Sequence, residues 1–259
     1  MTPDLPPARR ALFDYCLHRG DSNLVLAQRI SAWCGHGPVL EQDIALTNVA
    51  LDLVGQARSY YQYAAEVEGA GRSEDDLAYL RDERAYMNPL LCEAENGDWG
   101  QTILRQFFYD AYHYLLLDAL RESSDAHLVA IAAKSLKEVT YHRRYSAGWV
   151  VRLGDGTEES HRRMVAAVDE LYRYTGELVT SAPVDEAAVV HGLAPKPETL
   201  AAAYRAEVSR VLAEATLPEP ELPAAAMRTG GKRGVHTERL GYLLAEMQHL
   251  QRVHPGAEW

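Results

Sequence analysis

The chain has 259 residues, 47% of them hydrophobic and 24% charged, a composition of folded proteins that excludes wholesale disorder. Its net charge of -11, from 26 Lys and Arg against 37 Asp and Glu, speaks against a nucleic-acid partner, because neutralising phosphates takes a strongly cationic surface. Cys16, Cys34 and Cys92 are scattered, outside any Cys-x-x-Cys pattern, so neither a disulfide framework nor a zinc site is expected and a reducing cytoplasm fits.

The first residues, MTPDLPPARRALF, hold three prolines and no apolar h-region, which argues against a signal peptide, and no run of about 18 apolar residues offers a membrane span. Residues 1–19 are expected to form a flexible N-terminal extension before a single helical domain over 20–259. Strand signals are nearly absent, and a period of 3.6 predicts an all-α protein. Asp21 and Ser22 offer a cap for a first helix through about Cys34, with Leu26, Ala27, Ile30 and Trp33 on its apolar side. A second helix is predicted from about Glu41 to Glu68, with Leu46, Ala50, Leu53, Ala57, Tyr60 and Ala64 on one stripe. In SYYQYA, Tyr60, Tyr61 and Tyr63 point in three directions, so one of them is expected to leave the core.

Residues 74–98 read as a crossover, with a short helix in DDLAYLRDERAYM broken at Asn88-Pro89. A third long helix follows from about Trp99 to Glu122, its inner stripe running Ile103, Phe107, Asp110, Tyr114 and Leu117. The fourth spans about Ala126 to Leu153, through Leu128, Ala132, Ser135, Val139, His142, Ser146 and Trp149. Two helices joined by a short loop, a long crossover, then two more is the connection pattern of a ferritin-like four-helix bundle over about 21–154. Further helices are predicted at about 159–179, 197–215 and 237–253, linked by Pro-rich and Gly-rich connectors.

Ferritin-like di-iron proteins take a Glu from each of two helices and a Glu-x-x-His from each of the other two, all aimed inward. In KSLKEVTYHRRYSAGWV the residue three before His142 is Val139, and the acid, Glu138, sits four before it. Glu138 and His142 still share a face, about 40° apart by helix geometry. The third helix adds Asp110 and His113 at the i, i+3 spacing; the first has Gln28 but no carboxylate after Asp21, and the second has no Glu-x-x-His. Asp110, His113, Glu138 and His142 are the candidates for a degenerate metal site with Val139 in a lost ligand slot, and no metal is expected. A core His is more often satisfied by hydrogen bonds than a ligand, and a buried Asp must be paired. The expectation is a polar network of Asp110, Glu138 and His142 with Arg105 or Gln106.

The runs NLVLAQRISAWCGHGPVLEQDIALTNVALDLVGQARSYYQYA, RDERAYMNPLL, SLKEVTYHRRYSAGWVVRLGDGT and RTGGKRGVHTERLGYLLAEMQHLQRVHPGAEW together resemble the structural C subunits of phenylacetyl-CoA epoxidase complexes. The likeness covers nearly all of residues 20–259, leaving out the N-terminus and the 181–197 loop. It implies a non-catalytic, ferritin-like subunit of a multicomponent oxygenase of aerobic phenylacetate degradation. The di-iron centre would belong to a homologous catalytic subunit that this chain pairs with and supports, and flavin and iron-sulfur groups to a reductase. No cofactor is implied in this chain, no catalytic residue carries over, and self-association stays open. A stand-alone ferritin-like oxidase with a partial metal site, or a general scaffold, are the competing readings.

The segment MRTGGKRGVHTERLGYLLAEM concentrates Arg228, Lys232, Arg233 and Arg239 before a helix start near Thr237. Glycines free its backbone to turn toward an anion, though GGKRG lacks the spacing of a Walker loop. Arg228, Thr229, Gly230, Gly231, Lys232 and Arg233 are candidates for contact with an acidic partner surface or with coenzyme A phosphates; a solvated turn that docks the last helix is the plainer alternative.

Overall fold

Pro6 and Pro7 start a helix where an extension is expected, because proline at the first helical position has its φ preset and no amide to leave unpaired. The computed structural model describes residues 5–257, and α1 runs Pro7–Ser31. Phe13, Tyr15, Cys16, His18 and Arg19 are buried on it. This corrects the expected flexible extension over residues 1–19, of which 1–4 lie outside the described residues. It also corrects the expected cap at Asp21 and Ser22, which sit in mid-helix. Asp21 accepts from Tyr61 Oη at 2.7 Å and from the Met87 amide at 2.9 Å, and pairs with Arg81; Ser22 Oγ bonds back to the His18 carbonyl.

A short turn leads into α2 (Leu40–Glu68), which packs along α1. At their crossing a Cβ on Gly20 would lie 2.6 Å from the Tyr61 ring, so only glycine lets the helices approach that closely. A capping box of Ser73 and Asp76 opens α3 (Glu74–Tyr79). That helix stops earlier than the sequence suggests, since Arg81 turns its guanidinium to the carbonyls of Leu77 and Ala85 and to Asp21. The crossover then passes through α4 (Leu90–Glu93).

Asp98 caps α5 (Trp99–Leu120) and Asp125 caps α6 (Ala126–Gly154), each accepting an amide three residues on. The α5–α6 pair closes the bundle, with α2 facing α6. Among the described residues the regular structure is helical, without a strand, and the all-α ferritin-like bundle stands as expected.

Thr157 and Ser160 cap α7 (Glu158–Leu171), which leads through a 3-10 turn into α8 (Thr175–Leu178). The connector after it is not all loop: Pro183 and Asp185, whose carboxylate takes the Ala182 amide at 2.9 Å, start α9 (Pro183–Val190), which packs on α1. Next come α10 (Ala201–Glu214), an extended strap, α11 (Glu238–Met247) and α12 (His249–Val253).

Candidate functional site

One side chain from each of the four long helices meets its neighbour in the bundle centre. Tyr109 Oη on α5 donates to Asn23 Oδ1 on α1 at 2.7 Å, and Asn23 Nδ2 donates to Gln56 Oε1 on α2 at 3.4 Å. Gln56 Nε2 then donates to Glu138 Oε2 on α6 at 2.9 Å. At the far end Arg19, fully buried, reaches Tyr109 Oη at 3.3 Å and Tyr112 Oη at 3.5 Å. The row joins a guanidinium to a carboxylate through neutral hydroxyl and amide groups. Burying a lone cation is costly, and this row connects Arg19 to the negative charge of Glu138.

Asp110 is fully buried beside this row, accepting from Gln106 Nε2 at 2.7 Å and Ser146 Oγ at 2.8 Å. Burial pushes its carboxyl up to about 6, against the pull of His142 and these hydrogen bonds. His142 is buried as well, and its Nε2 donates to Asp52 Oδ2 on α2 at 2.9 Å. His113 is buried and, among the described residues, has no hydrogen-bond partner on either ring nitrogen; burial, then Arg19 and His142, hold its pKa well below the ordinary value, so the ring is neutral. Val139 is core.

The expected network is therefore divided. Asp110 and Gln106 do bond, but Glu138 belongs to the row of Gln56 and Asn23, and His142 belongs to Asp52. Arg105 takes no part: its guanidinium caps the Ala94 carbonyl at 2.6 Å and Asn96 Oδ1 at 2.7 Å, tying the crossover to α5. Sequence reasoning missed Asn23, Gln56 and Tyr109. Gln56 stands three after Leu53 on the inner stripe of α2, a polar interruption of an apolar register, and that was the available signal.

Leu53 and Gln56 on α2 have the same i, i+3 spacing as Val139 and His142 on α6, and all four are buried. A two-iron centre built on these two pairs would need Glu and His at them. These side chains supply one imidazole, turned to Asp52, and a neutral amide that is already bonded. Among the described residues no three of His, Cys, Asp or Glu are placed to share an ion, and Arg19 adds a fixed positive charge. This donor set does not fit a di-iron centre.

The GGKRG segment folds inward. The amides of Gly230 and Lys232 donate to Glu177 Oε1 at 2.8 and 3.3 Å, and Leu90 N donates to Glu177 Oε2 at 2.7 Å. Lys232 Nζ, buried, bonds Asp185 Oδ2 at 3.1 Å and the Thr180 carbonyl at 3.0 Å. Gly231 is pressed against the Asn88 carbonyl. The anion that this turn receives is the protein's own, so Gly230, Gly231 and Lys232 are corrected from contact candidates to internal packing. Arg228, Thr229 and Arg233 remain exposed. Of the tyrosines of SYYQYA, Tyr60 and Tyr61 are core, whereas Tyr63 leaves it as expected: half-buried, it stacks on the exposed His127 with its hydroxyl donating to Asp125.

An all-α bundle whose ferritin-like centre is crossed by a row of hydrogen-bonded side chains defines the class, and residues 3–259 match the family described as phenylacetic acid catabolic protein; the chain belongs to that family. It is 52% identical over 245 residues to the C subunit of the 1,2-phenylacetyl-CoA epoxidase of Escherichia coli (strain K12), covering 95% of this chain and 98% of that one. Among the described residues no helix is long and apolar enough to cross a membrane.

Proposed function

We propose that this chain is a non-catalytic structural subunit of a cytoplasmic oxygenase that epoxidises phenylacetyl-CoA. It pairs with a homologous subunit that carries the di-iron centre, while a reductase holds the flavin and iron-sulfur groups. The observation that carries this reading is the row of Arg19, Tyr109, Asn23, Gln56 and Glu138, which crosses the bundle centre as one continuous chain of hydrogen bonds. Such a centre joins four helices without needing a metal.

The outer face of α2 supports the pairing. Leu40, Ile44 and Leu51 are 71%, 51% and 62% exposed, with Asn48 and Val54 on the same face. Between Glu41 and Arg58 the exposed positions of that face carry no charge, over about 25 Å of helix. An apolar strip of this kind marks a protein interface, and a homologous bundle with a matching face is the partner this reading supplies. The experiment is co-expression with the catalytic subunit, followed by size-exclusion chromatography and iron analysis. The expected result is background iron in the chain alone, iron that follows the partner in the pair, and loss of co-elution in Ile44→Glu/Leu51→Glu with unchanged melting of the chain alone. About two irons per chain in the protein expressed alone, the complement of a complete carboxylate site, would sink the proposal.

A further inference from the structure

A second surface, on the solvent side of α6, is unlike the apolar face of α2. A groove of about 610 Å³ lies between α6 and α10. Its lining carries five cations against two carboxylates, in a chain of net charge -11. Lys137, Arg143, Arg144 and Arg152 stand along about 22 Å of α6, and among the described residues none of them has a carboxylate partner within ion-pair distance. Across the groove Arg210 is held by Glu207 and Glu214 at 3.1 and 3.0 Å, so the excess positive charge is all on the α6 wall.

Two of these cations rest against aromatic rings. The Arg143 guanidinium lies 3.9 Å from the centre of the Tyr114 ring, and Arg152 lies 5.6 Å from that of Trp149; stacking of this kind lowers the entropy lost on binding. Between the walls the lining is small and apolar at Ala147, Gly148, Val151 and Val211, and a Cβ on Gly148 would meet nothing within 4 Å. Tyr141, 42% exposed, stacks on Tyr145 at the groove's edge.

We infer that this groove docks an acidic, partly apolar polypeptide segment of another subunit of the assembly proposed above. Every lining residue lies within α6 or α10, so no helix N-terminus faces the groove and its cations are spread out instead of converging on one phosphate. Arginines and an exposed tyrosine beside a small apolar floor is the composition of an interface, and a channel between two helices suits a helix with one acidic and one apolar side.

The inference rests on the subunit reading. Its test places a photo-crosslinking amino acid at Gly148 in the co-expressed complex and identifies the attached peptide by mass spectrometry. The expected result is a segment rich in Asp and Glu from another subunit. Its yield falls severalfold on going from low to moderate salt, and about tenfold in Lys137→Glu/Arg144→Glu/Arg152→Glu, a variant whose chain alone melts as the parent does. A complex that co-elutes without the cross-link, a cross-linked peptide lacking acids, or a yield indifferent to salt and charge reversal overturns the inference. So does saturable binding of 3′,5′-ADP that the triple variant abolishes while no peptide is attached, which would make the groove a small-anion site. Failure of the unsubstituted chain to co-elute with the catalytic subunit would remove the subunit reading itself, an outcome distinct from all of these.

Discussion

Asp110 shows what a buried acid does when no metal takes its charge. Its folded pKa of about 6 stands above the ordinary 3.8, so between those values the folded state holds a proton that the unfolded state has lost. Its contribution to stability is greatest at low pH and declines as pH rises from about 4 to about 6, on the order of 1–3 kcal/mol. Asp110→Asn removes this charge while an amide still accepts from Gln106 and donates to Ser146, whose hydroxyl also bonds the His142 carbonyl. The asparagine variant is expected to be the more stable at pH 8, with the advantage vanishing below pH 4. Asp110→Ala leaves Gln106 unpartnered and is expected to cost about 1–3 kcal/mol at pH 5, with iron content unchanged at background. Denaturant titrations at the three pH values decide, and identical curves for parent and asparagine at pH 8 would contradict the buried acid.

Contacts between elements hang on single residues in the same way. Gly20→Ala forces a methyl into the Tyr61 ring and is expected to destabilise by about 1–3 kcal/mol, the usual cost of overpacking. At the C-terminal strap, Lys232→Met leaves Asp185 buried without its cation, a loss of about 3 kcal/mol. The expected signature is faster proteolysis in the extended strap after α10 in Lys232→Met than in Arg233→Met, which alters an exposed side chain. Equal digestion rates would show that the buried pair does not hold the strap. The helices themselves were largely legible: α2, α5 and α6 follow their apolar stripes closely. Two readings failed for one reason. Gly20-Asp21-Ser22 has the composition of a helix start and Pro183–Val190 that of a loop, and each was overruled by packing on another helix.

For the whole molecule, buried histidines govern the response to acid. Burial, against the pull of Asp185, holds His18 down to about 3 from 6.5, and His113 is lowered too. A lowered histidine pKa means that the unfolded chain takes up protons the folded chain refuses, so stability is lost as pH falls below about 6.5. His236 opposes this: burial lowers it, but Glu93 and the Tyr86 carbonyl raise it on balance, so its contribution is present below 6.5 and lost as pH rises. Asp110 also gains in acid. His18 and His113 both lose stability in acid and outweigh these two, and a net loss on the order of 3 kcal/mol is expected between pH 6.5 and 4. His113→Leu, which removes two unpartnered nitrogens, should flatten that limb, and melting across the range tests both statements. A parent protein whose stability rises steadily down to pH 4 would show that the histidines do not dominate.

The sequence by itself determined the helical class, the connection order of the bundle, the lack of a Glu-x-x-His in the second and fourth helices and the likeness to a family. These depend on residue identity and on spacing of three and four along one chain, which is how a helix chooses its faces. Only the tertiary structure decided which polar groups meet: that Glu138 faces Gln56, that His142 faces Asp52, that Glu177 fills the glycine-rich turn, and that, among the described residues, four cations of α6 stand without a carboxylate partner beside α10. Those partners lie tens of residues apart or more, and their pairing is set by how the helices pack against one another, which no local pattern records.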